Sequence, residues 1–197
     1  TGDVTDESDN CSTGINATFT DAIADGTCEG TKVITRTWSL VDKCGNAAAD
    51  QVQTITVEDN IAPTFTAPAN TTIYTDANCD YDASVSVTGD VTDESDNCST
   101  GINATYSDAI ADGDCEGTKV ITRTWSLVDK CGNAAETQVQ TITVLDTTAP
   151  VIDSIVLDST LTATNCVFRI PDLTAAVRNI SNDLCTPNVD LIISQSP

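Results

Sequence analysis

The sequence contains no histidine and no methionine, and aromatic residues make up only 4% of it. Without histidine the chain lacks the side chain that ordinarily moves protons near neutral pH. Basic residues are scarce as well: 8 Lys and Arg stand against 30 Asp and Glu, a net charge of −22. A surface of that sign repels phosphate backbones and anionic lipid, so no nucleic acid partner is expected, and it favours cations instead. No stretch approaches the roughly 20 apolar residues of a membrane helix, and no direct membrane insertion is expected of this segment. No nucleophile elbow or phosphate loop is found. The expectation is that the chain is not an enzyme, with no catalytic and no cofactor-binding residue assigned.

What is abundant is Thr, Ser, Val, Ile, Asp and Asn, a mixture suited to short strands with polar turns. Nine cysteines without a zinc-type CxxC pair indicate disulfides, hence an extracellular or otherwise oxidising location. The chain opens at Thr1 without a signal-peptide pattern and in mid-pattern, as expected for a section of a longer protein or a processed product.

The pattern is an internal repeat. Residues 1–63 align with 88–150 without gaps and differ at eight positions, among them Phe19/Tyr106, Thr20/Ser107 and Thr27/Asp114. A diverged third copy follows: Ile61–Cys79 lines up with Thr148–Cys166, and Cys98 with Cys185. The boundaries fall near Asp59–Pro63 and Asp146–Pro150. The expected organisation is a partial repeat over 1–60 lacking its first strands, a complete repeat over 61–147, and a partial, diverged repeat over 148–197. The complete repeat holds 14 acidic and 3 basic residues.

An 87-residue repeat is near the size of one immunoglobulin-like sandwich. Strands are expected at Thr71–Thr75, Ala83–Val87, Asn103–Ser107, Lys119–Val128 and Gln138–Leu145, from alternating apolar and small polar residues. No segment has a sustained helical period. The fold class expected is all-β: tandem immunoglobulin-like β-sandwich repeats of about 87 residues, stapled by disulfides. Arg123 shares a strand face with Trp125. It is expected at the rim with its stem beside the indole; a buried Arg–Asp pair is the alternative.

Four cysteines in the complete repeat allow three pairings. Cys115 and Cys131 flank a strand of about 33 Å, too long for one disulfide, and Cys79 and Cys98 also lie on either side of a strand. In an immunoglobulin-like order the Cys79 and Cys115 loops share one end of the sandwich, and the Cys98 and Cys131 loops share the other. The preferred pairs are therefore Cys79–Cys115, Cys98–Cys131 and, in the first copy, Cys11–Cys44. The rival set, Cys28–Cys44, Cys79–Cys98, Cys115–Cys131 and Cys166–Cys185, leaves fewer cysteines over but has the poorer geometry.

Carboxylates crowd at one end of the same topology: Asp93 and Asp96 in one loop, Asp129 in another, and Asp59 in the linker. Asp146 and Asp183 repeat the arrangement at the next junction. Crowded carboxylates repel unless a cation lies among them, and oxygen-only ligands suit Ca²⁺. A solvated acidic turn capped by Asn and Ser is the competing reading.

The motifs DNC, ITRTW, VDKCGN and QTITV-x-D-x-x-AP, at an 87-residue period, resemble the HYR-like, immunoglobulin-type repeats of giant Bacteroidota surface proteins, including gliding-motility adhesins. The resemblance spans residues 1–150; the third copy departs with DLC at 183–185 and its QSP ending. It implies a cell-surface or extracellular location, export by the type IX route, and a stalk or adhesive filament. It also implies O-glycosylation at Asp-Ser/Thr signals, here Thr147, Ser154 and Ser159. Asn16, Asn70 and Asn103 head N-glycan sequons, which matter only in a eukaryotic host. The function expected is a structural spacer whose partners are neighbouring repeats. A glycan- or protein-binding module that grips surface glycans or other cells is the alternative, and a polymerising subunit is a variant of the first.

Overall fold

A computed structural model describes residues 2–152, 172–179, 181–187 and 191–195. Along the chain run β1 (Thr18–Asp25), β2 (Lys32–Ser39), β3 (Gln51–Val57), β4 (Thr64–Thr66) and β5 (Thr71–Tyr74). Then come α1 (Val85–Thr88), β6 (Thr92–Ser95), β7 (Thr105–Asp112), β8 (Lys119–Ser126) and β9 (Gln138–Leu145). The series ends with β10 (Val151–Ile152), α2 (Thr174–Arg178) and β11 (Ser181–Asn182). The chain is therefore built of strands in several sheets, with two helices of four and five residues among the described residues.

Two compact units can be distinguished. One gathers Thr1–Thr66, Thr92–Thr105 and Ser126–Thr137; the other gathers Ala67–Val91, Tyr106–Trp125 and Gln138–Pro197. Each draws on more than one copy of the repeat. In the first unit β1, β2 and β3 form an antiparallel sheet in that order, and β4 pairs with β6. The second holds a four-stranded sheet in the order β5-β9-β8-β7, with β5 parallel and β8 antiparallel to β9, and a small β10–β11 pair.

Strand β8 follows the alternation written in KVITRTWS. Ile121, Arg123 and Trp125 are buried, while the residues between them are half-buried or exposed. Ile121 meets Ile142 across the β8–β9 ladder, and Ile73, Ile121, Ile142 and Val144 form a core against which Tyr81 and Ala83 pack. The same eight residues in β2 are less covered, and Trp38 alone among them is buried. The difference lies in the cover. Residues 67–88 supply Ile73, Tyr81 and Ala83 to the core under β8 in the second copy.

Arg123 is not at a rim: it is 1% exposed. Its Nε and Nη2 donate to the two carboxylate oxygens of Asp108 at 2.8 Å each, Nη1 donates to Thr88 Oγ1 at 2.8 Å, and Nη2 also donates to the Ala83 carbonyl at 2.7 Å. The guanidinium lies 4.1 Å from the Tyr106 ring centre. Asp108, first among these neighbours, holds the Arg123 pKa above its ordinary value. A buried guanidinium requires such a full set of acceptors, so the buried pair replaces the expected rim position.

Residues 83–87, expected as a strand, instead lead into α1. Ser84 N donates to Asp82 Oδ1 at 2.8 Å and Thr88 Oγ1 donates to the Ser84 carbonyl at 3.0 Å. Short polar side chains that bond the local backbone compete with a ladder in this way. Gly89, at φ 94°, ends the turn in a conformation that side chains with a Cβ disfavour. The turn aims Thr88 at the buried Arg123, and the Thr88 carbonyl accepts from Gln140 Nε2 at 2.7 Å.

Candidate functional site

The described cysteines are presented by three kinds of loop, each fixed by one side chain. In the first kind an aspartate two residues ahead accepts from the cysteine N–H and the next N–H. Asp9 does this for Cys11 and Ser12, Asp96 for Cys98 and Ser99, and Asp183 for Cys185 and Thr186, all between 2.7 and 2.9 Å. The departure of the third copy, Leu184 for Asn97, leaves both working residues in place. In the second kind, DKCGN, Asp129 Oδ1 accepts from Cys131 N at 2.8 Å and Asn133 N at 2.7 Å, and Oδ2 accepts from Asn133 Nδ2 at 2.7 Å. Asp42 repeats every one of these bonds around Cys44. Asp76 builds a similar loop around Cys79, where the cysteine itself takes φ 65°. In the third kind the hydroxyl of Thr31 or Thr118 folds back onto Cys28 or Cys115.

Among the described residues two disulfides form between these loops, Cys28–Cys131 and Cys79–Cys185, with Cα separations of 5.1 and 5.2 Å. Each joins a cysteine of one copy to a cysteine of the next. The expected pairs Cys79–Cys115, Cys98–Cys131 and Cys11–Cys44 are not formed; Cys11, Cys44, Cys98 and Cys115 are free thiols. Cys28–Cys44, Cys79–Cys98 and Cys115–Cys131 of the rival set are equally unformed, and Cys166 lies outside the described residues. The grouping of loops was right: Lys130 N donates to Ser99 Oγ beside Cys98, and a Cβ on Gly117, near Cys115, would lie 3.1 Å from Cys79 Sγ. What fails is the inference that neighbouring loops bond each other. The two bonds that do form join loops of adjoining copies.

Around Cys28–Cys131 the first and second copies also meet through Glu29. Its carboxylate accepts from Lys130 Nζ at 2.6 Å, Thr100 N at 3.0 Å and Thr100 Oγ1 at 2.9 Å. Lys130 first, and then Thr100, pull the Glu29 pKa down to about 2.

Of the six aspartates expected at a metal site, Asp59, Asp96 and Asp129 converge, with one carboxylate oxygen of each within 4.8 Å of the others. Asp59 Oδ2 and Asp96 Oδ1 are buried without a hydrogen-bond partner, which leaves them available to a cation. Burial opposes the charge on Asp129, but the Asn133 side chain and backbone, with the N–H groups of Cys131 and Gly132, outweigh it and hold the pKa below the ordinary value. These oxygen donors fit a hard cation such as Ca²⁺. Asp146 and Asp183 converge in the same way, with Cys185 as the third member; that sulfur is bound in a disulfide and is no thiolate ligand. Asp93 does not join the cluster. It sits exposed on β6 at φ 58°, within the ladder to β4. Thr147 is exposed, and Ser154 and Ser159 lie outside the described residues.

Sequence reasoning missed Glu29, Thr100 and Asp108. The signal for Asp108 was present in the hairpin register, since Asp21 faces Arg36 across β1–β2 in the first copy. No family model, no curated protein and no solved structure matches the chain.

Proposed function

We propose that the chain is a stretch of structural spacer: immunoglobulin-like repeats of an extracellular stalk or surface adhesin whose neighbouring copies are fastened covalently. The observation that carries this reading is the placement of Cys28–Cys131 and Cys79–Cys185, each of which ties one copy to its successor. A binding module has no need to fix its neighbour, whereas a spacer transmits load through each junction. Disulfides persist in oxidising surroundings, which supports a cell-surface location, as does the resemblance to HYR-like repeats. In this reading Ca²⁺ at Asp59, Asp96 and Asp129 adds a second tie where the linker enters the copy. Its partners are neighbouring repeats, with surface glycans or other cells at most contacted by parts of the array beyond these repeats.

Electron microscopy and intact mass of the native material test the proposal together. Thin beaded fibres, with a mass several-fold above 20.6 kDa, are expected. A compact particle of 20.6 kDa, or several strong hits on a glycan array, would refute it in favour of a binding module.

A further inference from the structure

Among the described residues, two disulfides hold four of the eight cysteines and the other four are thiols. We propose that Cys98 and Cys115 are each half of a further junction disulfide, Cys98 to the Cys79-equivalent of the preceding copy and Cys115 to the Cys131-equivalent of the following copy, so that every junction in an array carries two. The inference rests on reading the chain as part of a repeat array; it goes beyond that reading in fixing the covalent connectivity.

The copies provide an internal comparison. Cys98 and Cys185 occupy equivalent positions, as do Gly30 and Gly117. A Cβ on Gly117 would lie 2.7 Å from Cys185 Cβ, 3.1 Å from Cys79 Sγ and 3.2 Å from Cys185 Sγ. A Cβ on Gly30 would lie 2.5 Å from Cys98 Cβ and 2.9 Å from Cys98 Sγ. Cys98 thus sits against the first copy as Cys185, already bonded, sits against the second. Among the three nearest atoms, Gly117 has Cys79 Sγ where Gly30 has only atoms of Cys98. The aspartate clamps on the two cysteines are the same, from Asp96 and Asp183.

Cys115 has the matching relation to Cys28. The hydroxyls of Thr118 and Thr31 accept from the N–H of these cysteines at 3.2 Å in both loops, and Gly113 N and Gly26 N donate to the Thr118 and Thr31 carbonyls at 3.0 Å. Cys28 in that loop is bonded to Cys131. Cys115 in the same loop is an exposed thiol. The rule assigns the other free thiols as well: Cys11 is a Cys98-equivalent and Cys44 a Cys131-equivalent, so both bond to the copy before. Each new bond removes two protons and two electrons from a pair of thiols; a disulfide oxidant such as oxidised glutathione takes them up and leaves as two thiols.

The test compares the 197-residue chain with the same chain preceded by a duplicate of residues 1–87, both refolded with oxidised and reduced glutathione. Free thiols are alkylated, the chain is cut before aspartate, and the peptides are weighed without reduction. This cut isolates each cysteine, and Phe19/Tyr106 and Thr20/Ser107 distinguish the Cys11 peptide from the Cys98 peptide. Both chains should yield Cys28–Cys131 and Cys79–Cys185. In the longer chain Cys98 should be linked to the duplicate's Cys79 and Cys44 to the duplicate's Cys28, while Cys11 and Cys115 stay alkylated. Replacing the duplicate's Cys79 alone by serine should return Cys98 to the alkylated pool and leave Cys44 bonded. Cys98 alkylated in both chains, or linked to Cys131 or Cys115, overturns the proposal. Its failure would leave the microscopy and mass of the native material unaffected, so the two readings fail separately.

Discussion

Removing the charge on Asp108 should destabilise the complete repeat far more than the same change at Asp21 destabilises the first copy, although the two sites share their sequence. Arg123 is 1% exposed and spends two of its hydrogen bonds on Asp108. Breaking one side of a buried pair costs about 3–5 kcal/mol because a charge is left without compensation. Asp108 keeps 24% of its side-chain exposure, so water can partly replace it, and the lower figure of about 3 kcal/mol applies to Asp108→Ala. Asp108→Asn retains one acceptor oxygen and should lose roughly half of that. Arg36, at 16% side-chain exposure, already reaches solvent, and Asp21→Ala should cost a small fraction of the Asp108 value. The assay is urea unfolding followed by tryptophan fluorescence in a Trp38→Phe background, where Trp125, 5.0 Å from Tyr106, reports on the complete repeat. The Asp21 series uses Trp125→Phe in the same way. Equal losses at the two sites, or a loss below about 1 kcal/mol for Asp108→Ala, would show that burial of the guanidinium does not set the energy.

Three further outcomes are expected. The Glu29 pKa is lowered in the folded chain from 4.5 to about 2, so its contribution is complete above about 4.5 and is lost as pH falls through 2; the difference in urea midpoint between wild type and Glu29→Gln should be constant above pH 4.5 and vanish near pH 2. With a Kd of 10⁻⁴ to 10⁻³ M, as in extracellular modules, about 10 mM Ca²⁺ should stabilise the chain by roughly 1.4–2.7 kcal/mol. Melting with Ca²⁺ or EDTA should show this shift, and Asp96→Asn should remove it; identical melting points in Ca²⁺ and EDTA would eliminate the ion. Gly117→Ala places a Cβ against both sulfurs of Cys79–Cys185 at φ 76°, a conformation costing about 1–2 kcal/mol with a side chain. Alkylation should then find free Cys79 and Cys185 where wild type has none.

The sequence alone determined the local features. Period-two alternation located β5, β8 and β9 to within a residue or two, because the buried face of a strand is written at every second position. The aspartates ahead of Cys11, Cys98 and Cys131, and the turn glycines, set loops whose bonds close within five residues, so each copy repeats them. Grouping Asp59, Asp96 and Asp129 was also possible from loop order. Tertiary structure decided what depends on cover and on contact between copies. KVITRTWS buries Arg123 in one copy and leaves Arg36 partly exposed in another, since burial is a property of what packs over a face. Asp108 became the partner of Arg123 once hairpin register set the two strands opposite each other. The cysteine pairing was beyond the sequence for the same reason: a disulfide needs Cα atoms within about 7 Å, and that distance is fixed by how one copy seats on the next.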